Sequence, residues 1–210
     1  MNLAQELDQG IAELGLSVSR EQQQKLLDYI ALLQKWNKVY NLTAIRDPQQ
    51  MVSNHLLDSL AITPHLWPEK WLDVGCGAGL PGIVMAIVHP SWSVTLLDSN
   101  SKKTGFVQQA AIELGLKNVS VQCARIEDFK TAEKFDGIIS RAFTELGYFL
   151  RLTHHLLMPT GRWAAMKGWA EKELANIPDD CAVEKIVELK VPGLMAARSL
   201  VIAVQKEVKK

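Results

Sequence analysis

The twelve residues WLDVGCGAGLPG (71–82) hold the most informative pattern of this sequence. The short run 71–74 predicts a strand, which leads into a loop with four glycines in eight residues, and a helix is expected directly after it, from Ile83. Glycines let a backbone adopt left-handed dihedral angles and approach a bulky ligand closely. The free N–H groups at the start of the helix favour a carboxylate or phosphate. The stretch therefore predicts a ligand-binding turn.

Working outward from this turn, short β-rich runs alternate with helical runs of about a dozen residues. This alternation is typical of strand–helix–strand units, whose parallel sheet carries helices on both faces. The last two strands have little helix between them, which predicts a terminal antiparallel hairpin. We therefore expect an α/β fold with a doubly wound, mostly parallel, seven-stranded sheet. The predicted strands span residues 71–74, 94–98, 119–123, 135–140, 162–167, 183–189 and 200–205.

The first third of the chain predicts helices instead of strands. Apolar residues recur at spacings of three and four from Leu3 to Leu14, which indicates an amphipathic helix. Ser19 and Gln22 form a capping-box pattern at the start of a second helix, and a third helical segment is expected over residues 49–63. We predict two parts, a helical extension over residues 1–64 and a compact ligand-binding domain over residues 65–210.

The composition limits the class of protein. Of the 210 residues, 48% are hydrophobic and 22% are charged, as in ordinary globular domains. No apolar run reaches the ~18 residues of a membrane span, and the start MNLAQELDQG is unlike a secretory signal, so we expect a cytoplasmic protein. The formal net charge is zero, whereas nucleic-acid binders usually carry a basic excess. Three scattered cysteines predict neither a disulfide framework nor a metal site.

Two cofactors fit the glycine loop, depending on where the motif begins. From Gly77 the loop matches the dinucleotide fingerprint Gly-x-Gly-x-x-Gly, with Asp98 about 20 residues further on as the ribose-binding acid. From Asp73 the loop has the pattern Asp-x-Gly-x-Gly-x-Gly, which resembles the first motif of class I S-adenosylmethionine methyltransferases. The second frame fits better because Gly75 directly follows the predicted strand. Asp98 suits the ribose hydroxyls in either frame.

Nearly the whole chain resembles one family, the bacterial small-subunit ribosomal RNA guanine-N7 methyltransferases of the RsmG or GidB type. The segments WNKVYNLT and SRAF are the specific ones, since the glycine loop alone fits many methyltransferases. One departure lies near the end, where a family Gly-Glu-Arg-His-Leu stretch is Ala197-Arg198-Ser199-Leu200 here. The resemblance is carried by LLQKWNKVYNLTAIRDP (32–48), HLLDSL (55–60), LDVGCGAGLPGI (72–83), LLDSNSKK (96–103) and FDGIISRAF (135–143).

The resemblance implies a Rossmann-like class I methyltransferase fold, with S-adenosylmethionine as cofactor and 16S ribosomal RNA as partner. It implies that Ile126 and Glu127 flank the adenine and that Arg141 closes the site after the fourth strand. Guanine N7 carries no proton, so we expect Arg141 to position the reactants and no residue to act as a general base. With the glycine motif, the expected cofactor-binding residues are Asp73, Gly75, Gly77, Gly79, Leu80, Asp98, Ile126, Glu127 and Arg141.

Fewer residues point to the substrate side. Phe143 is expected either to stack on a flipped-out base or to serve as a core aromatic. His55 and Asp58 lie one turn apart on the third helical segment. They suit a metal or acid–base pair less well than a structural pair, and the resemblance suggests that they dock the extension near the cofactor. The other candidates for the substrate side or for contacting RNA are Asn41, Arg46, Lys102, Lys103, Arg125, Lys167 and Arg198.

The sequence leaves alternatives open. One is a methyltransferase that acts on another substrate. A second is an NAD-dependent oxidoreductase that uses the Gly77 frame, and a third is a non-catalytic RNA-binding module. Because the net charge is zero, we expect the protein to bind ribosomal RNA as part of a small ribosomal subunit or its precursor.

Overall fold

The computed structural model describes residues 2–67 and 70–206, apart from the side chains of residues 171, 172 and 175. Seven strands form one sheet in the order β3-β2-β1-β4-β5-β7-β6. Only β7 runs antiparallel to its neighbours β5 and β6, so the predicted mostly parallel sheet with a terminal hairpin is confirmed. The strands are β1 (Lys70–Val74), β2 (Ser93–Asp98), β3 (Val119–Cys123), β4 (Phe135–Arg141), β5 (Leu157–Lys167), β6 (Cys181–Glu188) and β7 (Ser199–Gln205).

Helices cover both faces of the sheet. Side chains alternate across a strand, and β1 accordingly places Trp71 in one buried apolar cluster and Leu72 in the other. The cluster that contains Trp71 also includes the helices before β1, so one core extends across residues 64 and 65. The division at that boundary stays a prediction. The α-helices are α1 (Leu3–Glu13), α2 (Arg20–Tyr40), α3 (Pro48–Met51), α4 (Asp58–Leu60), α5 (Gly82–Val88), α6 (Ser101–Glu113) and α7 (Leu146–Thr153).

The capping box at the start of α2 is present as predicted. Gln22 N donates to Ser19 Oγ at 3.2 Å, and Ser19 N donates to Gln22 Oε1 at 2.9 Å. The Gln22 amide also donates to the carbonyls of Ile87 and Val88 at the end of α5. This single side chain therefore caps one helix and ties the N-terminal helices to the sheet domain.

Two segments differ from the predicted elements. The third helical segment contains a π-helix, Val52–Leu57, between α3 and α4, and its apolar spacing is too close to that of an α-helix for the sequence to distinguish the two. From the residues alone we expect a helix over 145–157, but α7 ends at Thr153 and continues as the 3-10 helix His154–Leu156. β5 then begins at Leu157, which pairs with Phe135 before a register shift.

The topology brings distant parts of the chain to one edge. Parallel strands end together, and ligands bind at this carboxyl edge in open α/β sheets. Asp98, Arg141 and Lys167 are the last residues of β2, β4 and β5. Because β7 is antiparallel, its first residue, Ser199, lies at the same edge and pairs with Lys167. Arg198, which precedes β7, is thereby placed with them.

Candidate cofactor and substrate site

Three glycines shape the loop that follows β1. Gly75, Gly77 and Gly79 have φ angles of +67°, +56° and +92°, which a residue with a Cβ rarely adopts. A Cβ on Gly75 would lie 2.4 Å from Phe143 Cδ2, and one on Gly79 would lie 2.7 Å from Ile83 Cγ1. At these two positions glycine supplies space as well as conformational freedom.

The start of the loop supports the methyltransferase frame. β1 ends at Val74, so Gly75 directly follows the strand. The N–H groups of Gly75 and Cys76 both donate to Leu97 O, at 2.8 and 3.0 Å, which fixes the loop against the end of β2. Burial raises the pKa of the Cys76 thiol well above its ordinary value, so this thiol is not an activated nucleophile.

Asp73 fixes the end of the glycine loop through a hydrogen bond from Gly82. Its side chain is fully buried, and its Oδ2 accepts a 2.9 Å hydrogen bond from Gly82 N. Burial raises the pKa of this carboxyl to about 7. Asp73 lines neither of the cavities described next, so in this structure it acts on the site through the loop, and direct contact with a cofactor stays a prediction.

Two adjoining cavities open at the carboxyl edge of the sheet. The smaller cavity, of about 410 Å³, lies beside the end of β2. The larger cavity, of about 730 Å³, lies between the glycine loop and the π-helix segment. The two adjoin because Gly75, Lys103 and Phe143 line both.

Most of the predicted site residues line these cavities. Asp98, Ile126 and Glu127 line the smaller one. The larger one is lined by Gly77, Leu80, Arg141, Lys167 and Arg198. Five predicted residues line neither cavity, namely Asp73, Gly79, Asn41, Arg46 and Lys102.

Asn41 and Arg46 are exposed at the end of α2 and in the loop after it. Arg46 Nη2 donates to Asn41 Oδ1 at 3.1 Å, so the two side chains bind each other. Residues 42, 43 and 45 of the same loop line the larger cavity. The role predicted for Asn41 and Arg46 on the substrate side stays a prediction.

Asp98 is fixed by two backbone groups. Its Oδ2 accepts from Gly77 N at 2.9 Å, and its Oδ1 accepts from Asn100 N at 2.8 Å. The same Asn100 caps α6, since its side chain accepts from the N–H groups of Lys102 and Lys103. The position of Asp98 is therefore determined by both the glycine loop and the start of α6.

Two arginines share one buried carboxylate in the larger cavity. Arg141 Nη1 donates to Asp58 Oδ2 at 3.2 Å and to Asn54 O at 3.0 Å. Arg198 Nε donates to Asp58 Oδ1 at 3.1 Å. A buried carboxylate needs such partners, and the two arginines supply them to Asp58, whose side chain is 2% exposed and comes from the N-terminal helices.

The structure gives His55 and Asp58 separate partners. His55 Nε2 lies 3.0 Å from Thr43 Oγ1, whereas Asp58 contacts the two arginines. Both residues line the larger cavity. Burial, and then the positive charge of Arg141, lower the pKa of His55 to about 4, so its ring is neutral near pH 7. The sequence placed both residues in the third helical segment, but it did not reveal that Asp58 contacts two arginines.

Lys167 and Phe143 have local partners. Lys167 Nζ forms an ion pair with Glu173 and donates to Thr144 O, so its charge is offset at the cavity wall. Phe143 packs edge-on against Phe149, with ring centroids 6.5 Å apart, and it follows Ala142, whose φ is +52°. Both predicted substrate contacts stay predictions. Lys103, another candidate for contacting RNA, lines both cavities.

One group of potential metal ligands lies away from both cavities. Among the described residues, His154, Asp180 and Cys181 place their potential ligand atoms within 4.8 Å of one another. They line neither cavity.

In the described part of the chain, no helix combines the length and apolarity that crossing a membrane requires.

The sheet order, the glycine loop and the acid at the end of β2 together define the class I methyltransferase fold. The N-methyltransferase NodS from Bradyrhizobium japonicum WM9, solved with S-adenosyl-L-homocysteine, shares it with a TM-score of 0.55 and 17% identity, covering 85% of this chain and 98% of that one. TrmN from Thermus thermophilus superimposes with a TM-score of 0.55 at 20% identity, covering 71% of this chain and 47% of that one.

Sequence comparison gives the family. A family model described as GidB, rRNA small subunit methyltransferase G, matches residues 22–201. The ribosomal RNA small subunit methyltransferase G of Laribacter hongkongensis is 54% identical over 202 residues, covering 96% of this chain and 98% of the relative. That of Pseudomonas paraeruginosa is 51% identical over 201 residues, covering 95% and 94%. The chain belongs to the GidB family of small-subunit ribosomal RNA methyltransferases, as its sequence predicted.

Proposed function

We propose that this protein transfers a methyl group from S-adenosylmethionine to N7 of a specific guanosine in 16S ribosomal RNA. The observation that carries the proposal is the junction of two cavities at Gly75 and Phe143. One has the features of a nucleoside site, and the other is lined by cationic side chains. The relatives are named for small-subunit ribosomal RNA, which gives the substrate class. We place this activity in the cytoplasm.

The residues of the smaller cavity fit a nucleoside cofactor. A carboxylate has about four acceptor positions, so each Asp98 oxygen keeps capacity for a ribose hydroxyl after it accepts one backbone N–H. Ile126 is buried and supplies an apolar surface for an adenine, next to Glu127. The missing Cβ at Gly75 leaves room between the loop and Phe143. These features, together with Gly75 as the residue that directly follows β1, support S-adenosylmethionine over a dinucleotide.

The larger cavity supports methyl transfer without a base. S-adenosylmethionine, when bound, supplies an electrophilic methyl group. Guanine N7 offers a lone pair and has no proton to lose. The protein therefore has to hold two reactants in line, an effect that supplies up to about 10 kcal/mol. His55 is neutral and Cys76 is protonated at neutral pH, and neither is needed for a proton transfer.

Local charge supports an RNA substrate although the chain is neutral overall. The larger cavity is lined by four cationic side chains, Lys103, Arg141, Lys167 and Arg198, against the carboxylates Asp58 and Glu173. The excess of positive charge suits a polyanion, because phosphates attract Lys and Arg. Because the whole chain has a formal net charge of zero, the rest of the protein carries the balancing negative excess and offers little non-specific affinity for free RNA. We therefore propose that the substrate is a small subunit or its precursor.

The test is to map N7-methylguanosine in ribosomal RNA. Cells that lack this protein should lose the modification at one position of 16S RNA, and wild-type protein should restore it. An Asp98→Ala variant, expressed to the same level, should fail to restore it. An unchanged modification pattern in the deletion strain would refute the proposed substrate.

A further inference from the structure

Asp58 joins two arginines that are far apart in the chain. Its two carboxylate oxygens are each used, Oδ2 by Arg141 at 3.2 Å and Oδ1 by Arg198 at 3.1 Å. The Asp58 side chain is 2% exposed, whereas the arginine side chains are 22% and 27% exposed. The carboxylate therefore lies beneath the two guanidinium groups, which are at the cavity surface.

Each guanidinium keeps hydrogen-bond donors for a ligand. An arginine has five N–H groups. Within the described residues, Arg141 uses Nη1 for Asn54 O and Asp58, and Arg198 uses Nε for Asp58 and Nη1 for Ala197 O. Nη2 of both residues, with two N–H groups each, has no assigned partner there. Both arginines line the larger cavity, so these donors are available to a substrate.

We infer that the arginine pair held by Asp58 binds O6 of the target guanine and selects guanine over adenine. This inference rests on the proposed function. Guanine presents O6 and N7 as acceptors on its major-groove edge, whereas adenine presents an N6 amino donor beside N7. N7 must stay free to react, so donors that identify the base have to address O6. An adenine would place its amino group against guanidinium donors.

The charge balance favours a base edge over a phosphate as the ligand. The buried carboxylate cancels one of the two positive charges, which weakens the pair as a phosphate site but leaves its fixed donors intact.

During transfer, the N7 lone pair forms the new N7–C bond, and the electron pair of the breaking S–C bond stays on sulfur. Positive charge thereby moves from sulfur to the purine ring, and no proton moves.

The experiment varies one base in a reconstituted small subunit. After the modified guanosine has been mapped, subunits are prepared with guanine, hypoxanthine, adenine or 2,6-diaminopurine at that position. Hypoxanthine keeps O6 and N7, whereas the last two bases carry an amino group in place of O6. We expect wild-type protein to use guanine and hypoxanthine at similar kcat/KM and the other two about ten- to one-hundred-fold less well.

Two variants then assign the discrimination to the arginine pair. Asp58→Asn and Arg198→Gln should each reduce the guanine-to-adenine ratio of kcat/KM by about tenfold or more. Arg162→Gln is the matched control, because Arg162 pairs with Glu184 on the surface, and it should leave the ratio unchanged. Dissociation constants for the same subunits, measured with S-adenosylhomocysteine present, should show the same loss of discrimination between guanine and adenine in the absence of turnover.

Two results would overturn the inference. One is wild-type protein that methylates 2,6-diaminopurine as readily as guanine. The other is an Arg198→Gln variant that binds S-adenosylhomocysteine normally and loses the same factor on guanine and adenine, as a phosphate contact would. In both cases the proposed function stands, since guanine is still methylated. If wild-type protein methylates guanine in no subunit, the proposed function fails and the inference fails with it.

Discussion

Asp98 Oδ2 accepts a 2.9 Å hydrogen bond from Gly77 N, which joins the end of β2 to the glycine loop after β1. The contact places a carboxylate under the loop, at the wall of the smaller cavity. The acid therefore has two roles in the proposed mechanism. It fixes the loop, and it offers its remaining acceptor capacity to a ribose.

This contact predicts that Asp98→Ala lowers the affinity for S-adenosylhomocysteine by about ten- to one-hundred-fold, since hydrogen bonds to a charged group contribute about 1.5–3 kcal/mol. Asp128→Ala is the control, because Asp128 is exposed and lines neither cavity. Titration calorimetry measures both. Equal affinities for the Asp98 variant and wild type would remove Asp98 from the cofactor site.

The close approach of Gly75 to Phe143 gives a prediction about a steric clash. Gly75→Ala should reduce both stability and cofactor affinity, because the new Cβ would lie 2.4 Å from Phe143. Gly115→Ala is a matched control with a similar φ, +65° against +67°, and no atom within 4 Å of its Cβ position. The control should carry only the strain of a left-handed residue, about 1–2 kcal/mol.

Urea unfolding and calorimetry should separate the two glycine variants. If Gly75→Ala behaved like Gly115→Ala in both measurements, the close approach to Phe143 would not constrain the site.

Arg141 gives a prediction about activity. Arg141→Ala should abolish detectable methyl transfer while the protein stays folded, because the variant loses the cavity group that contacts both Asp58 and Asn54. Arg162→Ala, at a surface ion pair, should keep wild-type activity. Transfer of tritiated methyl groups to small subunits measures the rate, and circular dichroism checks the fold. Near-normal rates in the Arg141 variant would exclude it from the site.

His55 gives a prediction about pH. Its pKa is about 4 in the folded protein, lowered first by burial and then by Arg141, and about 6.5 in an unfolded chain. The neutral ring therefore contributes stability above pH 6.5 that is lost as the pH falls toward 4, at most about 3 kcal/mol.

Urea unfolding at pH 7 and pH 4.5 should show this His55 effect. His55→Gln should lose less stability over that interval than wild type, whereas His155→Gln, at an exposed position, should behave like wild type. Identical losses in wild type and His55→Gln would contradict the assigned pKa.

The neutral net charge gives a prediction about the substrate. Protein-free 16S RNA should be methylated far more slowly than small subunits or their precursors, because the larger cavity carries an excess of positive charge while the chain as a whole has none. Increasing salt should slow the reaction on both substrates. Equal initial rates on free RNA and on subunits, at the same salt concentration, would refute this substrate preference.

The sequence predicted local features well and tertiary partners poorly. The Ser19–Gln22 capping box, the glycine loop and the terminal hairpin depend on short-range patterns, and each is present. The contact of Asp58 with Arg198 joins residues 140 positions apart, which no local spacing reveals. Lys167 and Glu173 are close in sequence, but their ion pair depends on the path of the 3-10 helix Ala170–Asn176, which the sequence did not reveal.

We propose that the backbone around residues 73–82 holds a sulfonium nucleoside beside the larger cavity. Isothermal titration calorimetry with S-adenosylmethionine and S-adenosylhomocysteine tests it most directly, with NAD as the control ligand. We predict binding of one molecule of either nucleoside per chain and no heat from NAD. Purified, folded protein that gives no heat with either nucleoside would contradict the account.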